Sequence, residues 1–287
     1  STLGTTSFTA DATVNSVTVG KGANSVTSNT VLGVNALDAA VTGNNNTALG
    51  YLTLTANTDG VHNTAVGSQA LTSNTGGDYN TAVGGQALYY TTTGQYNTGV
   101  GYDALQDNTT GSHNTAIGYQ SLDVSTTASN NTAVGSGSLG ANTTGDVNTA
   151  VGAYALGANT TGSSNTAVGY HALDANTTGT QNVAIGRASL TSATTADNNT
   201  GCGKDTLHNT TTGDDNTAVG FAALTSNTTG ARNTAAGVES LQNNTTASNN
   251  TAFGRRAGKA NTTGTLLVAI GQGALESNTT ANSNTAV

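Results

Sequence analysis

The run Asn-Thr-Ala-Val-Gly, or a close variant, begins at Asn29 and returns every 17 residues without insertion or deletion. Later units begin at Asn46, Asn63, Asn80, Asn97, Asn114, Asn131, Asn148, Asn165, Asn182, Asn199, Asn216, Asn233, Asn250, Leu267 and Asn284. A fixed short period is the signature of a solenoid, in which each unit buries its apolar face only by stacking on its neighbours. A chain that repeats one unit this faithfully builds length and surface, not one catalytic pocket.

Each unit, numbered from its Asn, follows the consensus N-T-A-V-G-x-x-A-L-x-x-N-T-T-G-x-x. Position five is Gly from Gly33 to Gly271. Such constancy within one chain calls for a positive φ or for no room beside the α-carbon. Position four is a larger apolar residue such as Leu32, Val66, Ile117, Cys202 or Phe253, with Ala236 the smallest. Position three is Ala or Gly except at Val31, position eight is always small, and position nine is Leu except at Gly258.

Seventeen residues cannot hold two helices, and no 3.6-residue periodicity appears. Two short extended segments are predicted, over positions one to four and seven to ten, with turns at the constant Gly and at Asn-Thr-Thr-Gly. Side chains alternate along a strand. On that rule positions four and nine are expected to face the coil interior, and positions three and eight to face outward. Coils stacked at about 4.8 Å would make fifteen of them into a rod of roughly 70 Å. The Asn column at position one is expected to form a hydrogen-bonded ladder, broken once at Leu267 and Val268. Position fifteen is usually Gly but is Ala at 128, 196, 247 and 281, where position seventeen is Asn130, Asn198, Asn249 or Ser283. This pairing suggests that those coils shift a positive φ from Gly to position seventeen.

The composition excludes an ordinary globular domain. Charged residues make up 8%, against roughly a quarter in most domains. Polar bias can mean disorder, but here the apolar residues are periodic. A net charge of −8 provides no basic stripe for nucleic acid and no basic patch for an anionic membrane. The longest aliphatic run, residues 266–270, is too short to span a bilayer. No signal-peptide pattern is visible, and a start at Ser1 with no Met is expected of a trimmed piece of a longer protein.

Two large apolar side chains per coil contribute on the order of 1.5–3 kcal/mol each. Ordering the backbone costs roughly 1–2 kcal/mol per residue. A slim single-chain coil is therefore under-stabilised, and a second buried surface is expected. The candidate is the position-three column, including Ala65, Ala82, Ala116, Ala133, Ala150 and Ala167. It is predicted to lie against other copies of the chain around a common axis.

At Asn15–Gly20 the chain reads N-S-V-T-V-G, followed by K-G-A-N-S-V-T-S, and the step from Asn15 to Asn29 is 14 residues. These motifs resemble the head repeats of YadA-like trimeric autotransporter adhesins. The longer N-T-A-V-G-x-x-A-L-x-x-N-T-T-G form looks like repeats of bacteriophage tail fibres, which often carry a C-terminal self-cleaving chaperone domain of the endosialidase type. The resemblance covers nearly all residues from Asn15 to Val287. It implies an all-β, left-handed parallel β-roll or β-solenoid assembled as a homotrimer. The implied role is attachment to a host-surface glycan or protein, on a virion tail or cell surface. The sequence shows no membrane-anchor barrel or coiled-coil stalk, which favours a fibre over an autotransporter. The expected organisation is a lead-in and cap with one 14-residue coil over 1–28, then a solenoid of 17-residue coils over 29–287. The open strand edge at Asn284–Val287 would invite pairing with a further domain or subunit.

No enzyme, cofactor or metal is expected. Cys202 fills an apolar column and lacks a neighbouring base. His62, His113, His171 and His208 read as solvated turn residues rather than metal ligands. Asp78, Asp146, Asp197 and Asp214 share position sixteen without a calcium-binding repeat. Tyr79, Tyr89, Tyr90, Tyr96 and Tyr102 crowd into adjacent coils and form the candidate glycan or receptor contact. The alternatives are a bacterial adhesin head, a self-assembling extracellular filament, and an ice-binding surface, the last disfavoured because the Thr-Thr pairs fall in turns.

Overall fold

The computed structural model describes residues 11–287. The first ten residues of the expected lead-in lie outside the described residues. Two compact units are present, Ser1–Ser129 and Asn130–Val287, and each is a parallel β-solenoid whose coils lie 17 residues apart.

In the first unit, β1 (Ala12–Val14) and β2 (Val17–Gly20) form an antiparallel hairpin. Asn15 and Ser16 make its turn, both at positive φ. β2 then pairs antiparallel with β3 (Thr30–Gly33). The expected 14-residue coil is therefore absent. The Asn15 motif turns a hairpin back on itself, and that hairpin covers the edge of β3. Both Asp11 carboxylate oxygens accept the Lys21 and Gly22 N–H groups, at 2.6 Å each. From β3 the strands run parallel and in register through β4 (Thr47–Leu49), β5 (Thr64–Val66), β6 (Thr81–Val83), β7 (Thr98–Val100) and β8 (Thr115–Ile117).

The second unit repeats the arrangement from β9 (Thr132–Val134) through β10 (Thr149–Val151), β11 (Thr166–Val168), β12 (Val183–Ile185), β13 (Thr200–Cys202), β14 (Thr217–Val219), β15 (Thr234–Ala236), β16 (Thr251–Phe253) and β17 (Val268–Ile270) to β18 (Thr285–Ala286).

The faces of the strand are the reverse of the expectation. Ala65, Ala82, Ala116, Ala133, Ala150 and Ala167 are each 0% exposed inside their own coils, so the position-three column is core and is no contact face. Position four faces outward. The reason is space: the fully buried Leu at position nine fills the narrow interior, leaving room opposite for Ala or Gly in every coil after the first, where Val31 is buried. At Gly99 an added Cβ would sit 3.3 Å from Leu88 Cγ and 3.1 Å from the Ala104 carbonyl. Most coils thus bury one large apolar side chain, the position-nine Leu, not two.

Positions seven to ten are not extended. They form turns with positive φ at positions seven and nine, as at Gln69 (62°) and Leu71 (51°). Left-handed backbone costs a non-glycine residue about 1–2 kcal/mol. Bonds between coils hold it here: the Leu71 N–H donates to the Ala87 carbonyl and the Gln69 N–H to the Tyr51 carbonyl. At the position-five corner Gly meets both demands. Gly84 has φ 139°, and a Cβ there would overlap the Gly101 carbonyl.

The proposed exchange between positions fifteen and seventeen does not occur. Position seventeen has positive φ in Gly-containing and Ala-containing coils alike, as at Tyr79 and Asn130. Position fifteen is small for want of space. A Cβ on Gly77 would crowd Asn74 Oδ1 and the Gly94 carbonyl.

Candidate functional site

Polar side chains bind the coils to one another. Asn80 Oδ1 accepts the Asn97 N–H at 2.9 Å, and its Nδ2 donates to the Gly94 carbonyl at 2.8 Å. Leu267 still donates its N–H to Asn250 Oδ1, but offers no side-chain acceptor to the next coil. A second ladder, unforeseen, joins the Asn side chains of position twelve. Asn176 Nδ2 donates to Asn159 Oδ1, and Asn159 Nδ2 to Asn142 Oδ1, both at 2.7 Å. Where the next coil has Thr91, Ser125 or Ala193, the preceding Asn74, Asn108 or Asn176 Oδ1 is buried without a partner among the described residues. A third ladder runs through position thirteen, where Thr160 Oγ1 donates to the Thr177 carbonyl at 2.9 Å. The repeated Asn and Thr letters were the available signal for both.

Position sixteen proves to be a fourth polar column. Asp78 Oδ1 accepts the Val61 N–H, Asp197 Oδ1 the Thr180 N–H, and Asp214 Oδ1 the Asp197 N–H. Ser163 does the same for the Asp146 N–H. These acids close coil-to-coil hydrogen bonds. Among the described residues, no three His, Cys, Asp or Glu side chains come together as a metal site.

The five candidate Tyr residues separate into three places. Tyr79 and Tyr96 sit at position seventeen in a four-ring stack, His62–Tyr79–Tyr96–His113, with centroid spacings of 4.9, 5.0 and 4.9 Å and planes within 7°. Tyr89 meets Tyr90 edge-on at 4.6 Å, and Tyr102 stacks with Tyr119 at 6.1 Å. Both faces of Tyr79 and Tyr96 are covered, so only their edges and hydroxyls are open to a ligand.

Two charged clusters flank the coils. In the first unit Asp103, Asp107 and Asp123 lie near one another. Burial, with the charges of Asp103 and Asp107, raises the Asp123 carboxyl to about 6. Burial also raises Asp103, against a hydrogen bond from Gln120. In the second unit Glu239 binds Lys259 at 2.7 Å and Arg256 at 2.9 Å, which holds its carboxyl below the usual range. His171 Nδ1 lies 2.6 Å from Asp174 Oδ2, with its ring stacked on Tyr154.

An exposed apolar surface remains in the outward position-four column. In the second unit it reads Val134, Val151, Val168, Ile185, Cys202, Val219, Ala236, Phe253 and Ile270. No polar side chain interrupts it. In the first unit it reads Leu32, Leu49, Val66, Val83, Val100 and Ile117. Ile185 is 42% and Phe253 44% exposed, and Cys202 is exposed as well. Among the described residues, no helix is long and apolar enough to cross a membrane. No protein-family model, curated protein or solved structure matches the chain.

Proposed function

We propose that this chain is a structural, non-catalytic rod segment of a homotrimeric extracellular attachment fibre, of the tail-fibre kind its repeats resemble. The single observation that carries this reading is the unbroken apolar column at position four. Monomeric soluble proteins rarely expose contiguous apolar patches of more than a few hundred Å². A stripe with one apolar side chain per coil fits a surface that lies against copies of itself. Around a common axis, residues at one height meet their own counterparts, and the bulk of Phe253 has the small Ala236 of the adjoining coil to fill. The axis assigned from the Ala column thus moves to the opposite face of the same strand. Left-handed winding belongs to the same proposal. The fibre presents or forms a host-surface binding region, and many weak contacts multiply through three-fold valency.

Cys202 lies in this column and reports on it. If three copies meet there, a short bifunctional maleimide joins two chains through Cys202 in the native protein, with a yield independent of protein concentration. Free reaction of Cys202 with a monofunctional reagent, without crosslinking, overturns the assignment.

Ice binding gains one observation from the fold, because Thr at position two and the apolar residue at position four face outward together on a parallel sheet. Against it, neighbouring coils place Ala236 beside Phe253 in that face, which breaks the flat repeat that an ice lattice would match. Thermal hysteresis in the native protein is the measurement that would favour it. A bacterial adhesin head uses the same axis. A filament would instead join chains end to end at the open edge of β18, and particle images distinguish it by length.

A further inference from the structure

Position seven carries a long or charged side chain in many coils. In the second unit it runs Asp205, Ala222, Glu239 through three successive coils. The missing side chain at Ala222 opens a cavity of 340 Å³, lined by Asp205, His208, Phe221, Ala222, Thr225 and Gln242. This lies within the usual range of small-ligand sites, roughly 300–1,000 Å³. The cavity belongs to positions six, seven and ten, not to the position-four column.

Its chemistry is divided. Phe221, 44% exposed, supplies an aromatic wall, with Lys204 Nζ over its ring at 5.3 Å from the centroid, and the methyl of Ala222 supplies the floor. Asp205 supplies a carboxylate, held by Lys204 at 3.4 Å. His208 Nδ1 lies 3.2 Å from the Ala188 carbonyl. A carbonyl only accepts, so Nδ1 is the donor there, and in the matching neutral tautomer Nε2 faces the cavity as an acceptor. Thr225 donates its hydroxyl to the Asp205 carbonyl at 2.7 Å, which leaves that oxygen to accept. An apolar ligand would strip water from the carboxylate and imidazole with nothing in return. An anion would meet the Asp205 charge. A neutral ring with an apolar C–H face and a rim of hydroxyl donors satisfies both halves.

We propose that this cavity binds one pyranose ring of a host-surface glycan, with the ring against Phe221 and its hydroxyls donating to Asp205 and His208. The proposal rests on the attachment reading for its biological partner, but the cavity lies within one chain. The test is saturation-transfer NMR on the native particle with the methyl glycosides of glucose, galactose, mannose and N-acetylglucosamine at millimolar concentration. Two substitutions use residues that the fold already carries in those columns. Ala222→Gln fills the cavity as Gln69 and Gln86 fill position seven, and Phe221→Ser matches Ser68 and Ser136 at position six. Transfer to at least one glycoside is expected, falling at least five-fold in both variants and unchanged in Tyr51→Ser. No transfer to any of the four, or transfer undiminished in Ala222→Gln, overturns the site. Particle mass is measured on the same samples. A trimer without transfer removes only the cavity proposal, whereas a monomer with transfer keeps the cavity and removes the fibre.

Discussion

Tyr79 and Tyr96 stack face to face, 5.0 Å between centroids and 2° between planes. They occupy the same position of adjacent coils, so the spacing of the coils sets the spacing of the rings. His62 and His113 close the outer faces. Aromatic pairs contribute about 0.5–1.5 kcal/mol beyond their buried area. Tyr79→Ala is expected to destabilise the first unit by about 1 kcal/mol, read by denaturant unfolding. It should leave glycoside binding unchanged, because no sugar ring can lie on a face already covered. Loss of binding in this variant would restore the stack as a ligand platform.

The Asn ladders predict changes of opposite sign. Asn80→Ala removes the acceptor for the buried Asn97 N–H and a donor to the Gly94 carbonyl. Leaving such groups unpaired costs roughly 1–3 kcal/mol. The Asn97 amide should exchange with solvent correspondingly faster. Ala193→Asn should act the other way, giving the orphaned Asn176 Oδ1 a donor. Asn244 already coexists with Ala247 in one coil, the same pairing that Asn at 193 would make with Ala196. A gain of about 1 kcal/mol is expected in the second unit. Unchanged or lower stability would contradict the ladder account.

Asp123 makes the first unit sensitive to pH. Its folded carboxyl is raised to about 6 from the ordinary aspartate value of 3.8, so the folded state holds the proton more tightly than the unfolded state. The stabilising contribution of this group is complete below about pH 4 and is lost as pH rises through about 6. The side chain is partly exposed, and solvent screening reduces the effect to about 1 kcal/mol. Asp123→Asn should therefore stabilise the first unit at pH 7 and flatten its stability profile between pH 4 and 7. An unchanged slope would place the titrating group elsewhere.

The period, the corners and the position-one ladder were legible in the sequence because each depends on one constant letter. The facing of the strand was not. Alternation leaves two choices, and Val66 looked like a better core residue than Ala65. The choice is decided by interior width, which Leu71 already fills from across the coil. The turn over positions seven to ten was hidden for another reason. Its left-handed residues, including Leu71 and Gln69, carry no local preference for that backbone, and hydrogen bonds to neighbouring coils impose it. The hairpin at Asn15 and Ser16 was concealed by its likeness to a coil motif. Of the candidate site, clustering of Tyr residues was visible, but their division into three separate ring contacts depends on coil geometry. The Ala222 cavity is a missing side chain, which leaves no motif.

The central claim is that the outward position-four column, from Val134 to Ile270 in the second unit, is covered by other copies of the chain. Light scattering on the native particle after size exclusion tests it most directly. The account predicts three times the 28.1 kDa chain mass, falling to one chain when Val151→Lys and Ile185→Lys place charges in the column while the circular dichroism spectrum stays that of the folded coil. A native particle of one chain mass, or a trimer indifferent to both substitutions, would contradict it.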